Sequence, residues 1–363
     1  MLEETKESSE VGSQRHKKKK KCFRNRRIKR DNYLKRKARR AQKKRRTRNR
    51  RKNLRSKKIL AHVPKKPQRF SSLEPPKNFS FINNTEDVLE YFKKSKKLLD
   101  SRKQVEFDLR EVKELTPDAI ALLIANVKDE HFTNKLKVRG MSPKKKELKK
   151  MFDESGFLSH VQSNWSPPKN DKNLLIHQIT NYRVENEIAK DISERAVKHT
   201  FKSNKKFQPI YEILIECMAN TNNHAGHSRG EYNWWIFEYS DPKTKVTSIS
   251  FLDLGTGIFN SVPVSDFRRD AMIKFKEKSG LDFVPNFNLK LVDDLFEGKI
   301  SSKTKKKERG QGLPKIYDRS KNKQIKNFTI ISNDVYIKIP DKYRKTLKNK
   351  FQGTFLYWEL HPV

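Results

Sequence analysis

Cysteine is nearly absent from this 363-residue chain: Cys22 and Cys217 are the only two. One sits in a basic tail and the other in an apolar helical run, so neither suggests a disulfide framework, and a reducing compartment is expected. No apolar stretch approaches the roughly 20 residues of a membrane-spanning helix. The N-terminal MLEETKESSE also lacks the apolar core of a secretory signal, so a cytoplasmic protein is expected. Acids are scarce as well, with 43 Asp and Glu against 84 Lys and Arg, and hydrophobic residues make up only 34%.

The cationic excess is concentrated. Between Arg15 and Lys58, 27 of 44 residues are Lys or Arg and Asp31 is the only acid, so this segment holds +26 of the net +41. Such a segment cannot bury enough apolar surface to fold alone, and residues 1–66 are expected to be a disordered tail. A polyanion could order it, because Lys and Arg form helices well once their repulsion is neutralised. A solvated or targeting segment is the ordinary reading of a short charge run. A run this long points instead to phosphate neutralisation with little sequence discrimination, hence to RNA or DNA as partner through residues 15–58. It lacks the apolar face of an interfacial helix, so no membrane partner is expected.

Pro64, Pro67, Pro75 and Pro76 mark a linker at 67–78. Order should begin near Phe79. Val105, Phe107 and Leu109 alternate with polar residues as in a half-buried strand. ELTPDAIALLIANV reads as a helix with Thr116 as N-cap and Pro117 at its first position. LKVRG gives a second strand, and SPKKKELKKMFDESG a second capped helix. This α/β unit resembles a STAS domain over residues 79–162, notably in VEFDLREVKELTPDAIALLIA. The resemblance implies a protein partner for this unit. Where such antagonists carry a phosphorylated Ser this chain has Pro117, which cannot accept phosphate, and Thr116 is read as a cap.

After a second linker at 163–178, two helices are expected in YRVENEIAKDISERAVKH and QPIYEILIECMANTNNHAG. YNWWIFEYS and VTSISFLDLG read as strands of a hairpin turned at DPKTK. GLPKIYDRSK reads as a helix and NFTIIS, VYIKIP and FLYWEL as strands. The fold class is thus α/β followed by α+β, the second part a sandwich of helices on an antiparallel or mixed sheet.

Three constellations carry chemistry. In ECMANTNNHAG, Glu216 and Asn220 lie one helical turn apart and project side by side. The carboxylate could take a proton from an attacking water, and the amide oxygen could ligate Mg²⁺. FLDLGTGI ends an apolar strand in Asp253, where a buried carboxylate could accept from an exocyclic amine, with Gly255 and Gly257 permitting a tight turn. In ERGQGLPKI, Gly310 and Gly312 open a helix whose free amides and dipole favour phosphate. Alone, these have ordinary readings as a solvated helix face, a strand-to-loop turn and a basic glycine loop.

Their order, followed by FQGTFL, resembles the N, G1, G2 and G3 boxes of the GHKL superfamily (the Bergerat fold of gyrase B, Hsp90, MutL and histidine-kinase catalytic domains) over residues 179–363. The resemblance implies ATP and Mg²⁺ as cofactors and an ATPase reading of the site: Glu216 as general base, Asn220 as Mg²⁺ ligand, Asp253 holding the adenine amine with Gly255 and Gly257 around it. Gly310 and Gly312 would approach the phosphates, and Thr354 would support Asp253. His224 fits a position that often closes the first box. Residues 259–309 would form the ATP lid, and nucleotide binding would order it together with a homodimer interface. His177 and His199 lack the context of a phosphoacceptor helix. The implied function is a nucleotide-dependent switch in a regulatory setting, an anti-phage defence module among them. A protein Ser/Thr kinase of the anti-sigma type and an ATP-sensing adaptor without turnover remain the alternatives.

Overall fold

The computed structural model describes residues 36, 37, 39–44, 47, 70–161, 173–180, 184–224, 232–261, 286–300, 311–339, 341 and 343–362, with backbone only at 173–180, 223–224 and 232–233. Two compact units result, residues 1–68 and 69–363. In the first, the described residues are all helical and exposed, and Thr47 Oγ1 donates to Lys43 O at 3.0 Å. The rest of the segment expected to be disordered, Cys22 included, lies outside the described residues.

The second unit is a mixed α/β body. Strands β1 (Phe70–Leu73), β3 (Gln104–Asp108) and β5 (Val138–Met141) form a parallel sheet in the order β1-β3-β5. The helices Thr85–Asp100 and Pro117–Lys128 make the crossovers, the strand–helix–strand alternation that a parallel sheet requires. Two short strands, β2 (Asn78–Phe79) and β4 (Glu114–Leu115), pair separately. Thr116 occupies the N-cap with extended backbone and Pro117 follows it, as expected, but the Thr116 side chain makes no cap hydrogen bond. Asp118 takes over the local chemistry. Its buried carboxylate accepts from Phe81 N at 2.7 Å and Ile82 N at 3.0 Å, stitching the helix start to the segment after β2.

A five-stranded antiparallel sheet runs in the order β6-β7-β8-β10-β9. Its strands are β6 (Asn173–Thr180), β7 (Tyr232–Ser240), β8 (Thr247–Asp253), β9 (Ile325–Ile339) and β10 (Tyr343–Leu360). Side chains alternate between its faces. Trp234, Ile236, Phe251, Leu356 and Trp358 join a core with the helices Asn186–Phe201 and Gln208–His224. Trp235, Phe237, Leu252, Phe355 and Tyr357 join the core of the N-terminal layer. Both faces are therefore covered, and every residue of β8 is buried. The Pro117–Lys128 helix packs on β7 and β8 and against the helices Glu130–Thr133 and Phe157–Val161, and it is buried on all sides: Ala119 to Ala125 are at most 1% exposed. At about 25 cal/mol per Å² of apolar surface, this shared layer contributes strongly to stability.

The β7–β8 hairpin turns at Asp241–Lys245 as expected. The Asp241 carboxylate accepts from Lys243 N and Thr244 Oγ1, both at 2.9 Å, and Lys245 takes a left-handed φ of 59°. Three expectations change. Residues 70–73, assigned to the linker at 67–78, form β1 and pair with β3, so order begins before Phe79. Residues 173–178, assigned to a linker, belong to β6 and pair with β7. NFTIIS and VYIKIP are one strand, β9, carried through a bulge where Asn333 has φ 55°.

Candidate functional site

The Gln208–His224 helix packs its apolar stripe (Ile213, Leu214, Cys217) into the core, and this fixes which way its polar residues point. Glu216 and Asn220 lie toward the Gly312–Ser320 helix, which runs in the opposite direction. Three rungs join the two. Gly312 faces Asn220 and Glu216, Lys315 Nζ meets Glu216 Oε1 at 2.8 Å, and Arg319 pairs with Glu212. The i, i+4 spacing of Glu212, Glu216 and Asn220 produces this ladder. A Cβ built on Gly312 would stand 2.8 Å from Asn220 Oδ1 and 3.1 Å from Glu216 Oε2, so any larger residue would push these two side-chain ends aside. The Lys315 ammonium, 60% exposed, is held above its usual pKa by its hydrogen bond to Glu216. A pair this open to water adds only about 0.2–1 kcal/mol to stability.

Asp253 closes β8 beside the same helix. Its carboxylate is 5% exposed, accepting from Gly255 N at 2.9 Å and from Thr221 Oγ1 at 3.5 Å. Thr354, its register partner on β10, is a further hydrogen-bond donor. Burial pushes the Asp253 pKa from 3.8 up to about 6, against the opposing pull of Gly255, Thr354 and Thr221. Gly353 makes room for this pairing. It has φ 129°, and a Cβ there would stand 2.0 Å from Asp253 O.

The structure thus brings Glu216, Asn220 and Gly312 into one group and Asp253, Gly255 and Thr354 into another. Thr221, next to Asn220, bridges the two. Gly257 stands apart from the carboxylate, at φ 81° against the Asn333 side chain. Gly310 lies outside the described residues, as do 262–285 and 301–309 of the expected lid, the Lys-rich run before Gly310 included. The side chains of His177 and His224 are likewise undescribed. His199 Nε2 contacts Asp241 O at 2.9 Å, a turn-stabilising place remote from Asp253.

Sequence reasoning missed four participants. Thr221 was hidden inside ANTNNH. Lys315 sat three residues beyond Gly312 in GLPKI. The Ser332–Asn333 pair pins the turn after Asp253: Ser332 Oγ accepts from Ile258 N and donates to Gly353 O, both at 2.8 Å. Asn333 Oδ1 accepts from Phe259 N, and its Nδ2 donates to Thr256 O, both at 3.0 Å. The polar stretch Ser332–Asp334 inside the otherwise apolar run TIISNDVYI was the available signal.

Among the described residues no group of three or more His, Cys, Asp or Glu could hold a metal ion, and no helix is long and apolar enough to cross a membrane. A scan against protein-family models finds no matching family, and a search of curated proteins finds no match.

Proposed function

We propose that this chain is an ATP-binding switch of the GHKL type. The observation that carries this reading is the meeting of Gly312, at a helix start, with Glu216 and Asn220 on a second helix that also touches Asp253. Asp253 accepts from the adenine amine, and its burial strengthens that contact because water does not compete. Pro314 lacks an amide donor and Lys315 N bonds Gln311 O at 3.1 Å, so the amides of Gly312 and Leu313 are the phosphate donors at this helix start. The carboxylate of Glu216 takes a proton from the water that attacks the terminal phosphate. Asn220 Oδ1 fits a hard cation: it is an uncharged oxygen in the cradle that a Gly312 side chain would fill. Mg²⁺ held there by Asn220 would supply neutralisation of phosphate charge.

In this reading the basic tail tethers the switch to nucleic acid in a reducing, cytoplasmic setting. The N-terminal STAS-like layer offers a surface to a protein partner. The test is a pair of variants. Glu216→Gln keeps nucleotide bound and slows hydrolysis by about 10²–10⁴. Asn220→Ala weakens Mg²⁺-dependent binding. Wild-type turnover in Glu216→Gln would remove the general-base assignment. A second reading, nucleotide sensing without turnover, is favoured by the hold of Lys315 on Glu216. Intact ATP binding with no phosphate release would select it.

A further inference from the structure

On the face of the five-stranded sheet opposite Asp253 lies a groove of about 470 Å³, within the roughly 300–1,000 Å³ typical of small-molecule sites. It opens between the Thr85–Asp100 helix, the end of the Pro117–Lys128 helix and residues 348–352 of β10. Phe92, Phe132 and Phe351 give it an aromatic floor, and Leu254, the residue after Asp253, lies in its wall. The rim is cationic: Lys93, Lys96, Lys348 and Lys350 line it, against Asp129 as the single acid.

These four lysines are not equivalent. Lys96 is committed to Asp100 and His131 O, both at 2.7 Å, and Lys93 donates to Asn349 Oδ1 at 2.9 Å. Lys348 and Lys350 are exposed and have no ion-pair partner among the described residues. Their segment is nonetheless fixed, because the Glu86 carboxylate accepts from Lys348 N at 2.8 Å and Asn349 N at 3.3 Å. Two lysines without an ion-pair partner among the described residues thus line the groove on an anchored backbone.

We infer that this groove binds an amphiphilic small-molecule anion, one with a flat apolar body for the aromatic floor and one or two phosphate, sulfonate or carboxylate groups for Lys348 and Lys350. Burial of the body supplies affinity and the ammonium groups set orientation and charge preference. The site is separate from the nucleotide site proposed above and does not depend on it.

The probe is 8-anilinonaphthalene-1-sulfonate, an aromatic monoanion whose fluorescence rises on burial. It is titrated into the full chain at about 0.15 M ionic strength, where charges more than about 8 Å apart are largely screened but contact pairs are not. Saturable binding at one site is expected. Lys348→Glu with Lys350→Glu should weaken it by about tenfold, while Lys145→Glu with Lys146→Glu, the same charge change on an exposed helix start, should leave it unaltered. Asp253→Asn should also leave it unaltered, which separates this site from the nucleotide reading. All variants are first matched to wild type in thermal unfolding. Non-saturable binding by wild type, equal weakening by both charge-reversed pairs, or undiminished binding after reversal of Lys348 and Lys350 would each overturn the inference.

Discussion

Replacing Gly312 by Ala adds one methyl where two helices meet, and it separates binding from folding. That methyl would stand 2.8 Å from Asn220 Oδ1, 3.1 Å from Glu216 Oε2 and 3.2 Å from Asn220 Nδ2. All three are ends of flexible side chains, so the strain is relieved by rotating them, at about 0.5–1.5 kcal/mol for an off-rotamer torsion. Alanine in place of glycine returns up to about 1 kcal/mol in helix propensity, less at a first helical position. Net stability should therefore move by no more than about 1 kcal/mol. Binding should not be spared. The rotated amide and carboxylate leave the positions proposed for phosphate and cation contacts, and losing one charge-assisted hydrogen bond costs about 1.5–3 kcal/mol, roughly ten- to a hundredfold in affinity. Urea midpoints and calorimetry with a non-hydrolysable ATP analogue and Mg²⁺ read the two effects separately. Unchanged affinity in Gly312→Ala would refute the proposed phosphate position. A large stability loss would refute the claim that the contact is made only by yielding side-chain ends.

Three further outcomes follow from charge. Asp253 has a folded pKa of about 6 against 3.8 unfolded, so its neutral form is favoured in the fold. Its contribution to stability is fully present below about pH 4 and lost as pH rises to about 6, on the order of 3 kcal/mol. Glu238, pushed up to about 7 by burial, has the same sign, so the check is the difference between wild type and Asp253→Asn in urea midpoints across that window. Identical pH slopes would mean that Asp253 is not held neutral. Lys315→Met frees Glu216 from its cation, so ATP turnover should rise while thermal stability shifts by less than about 1 kcal/mol. A fall in turnover would assign Lys315 to the phosphates instead. Nucleic-acid affinity should fall by about 10³–10⁵ between 50 and 200 mM salt if about six to ten phosphates are neutralised. Deleting residues 1–66 should flatten that slope, and an unaltered slope would move the contacts onto residues 69–363.

What was legible in the sequence had local causes. Alternation at Val105 and Phe107, the Thr116–Pro117 helix start and the Asp241 turn each fix their own few residues, and each is present. The Glu216–Asn220 spacing likewise announced a shared helix face. Features that depend on distant partners were hidden. YNWWIFEYS reads as an unbroken apolar run because both faces of β7 are covered, so alternation carries no contrast. The break at Ser332–Asn333 looked like a strand end, since nothing local tells that the Asn333 amide turns back to hold the Gly257 turn. LLIHQIT passed for a linker because its strand exists only by pairing with β7, some 55 residues later. Lys315 drew no attention because its partner, Glu216, lies 99 residues earlier.

Titration calorimetry of ATP with Mg²⁺ into the full chain and into Asp253→Asn tests the central claim most directly. The account predicts one saturable site in the wild-type protein and an affinity lowered by about ten- to a hundredfold in the variant, with unfolding still cooperative. Equal affinity in both proteins, or no saturable binding by the wild type, would contradict it.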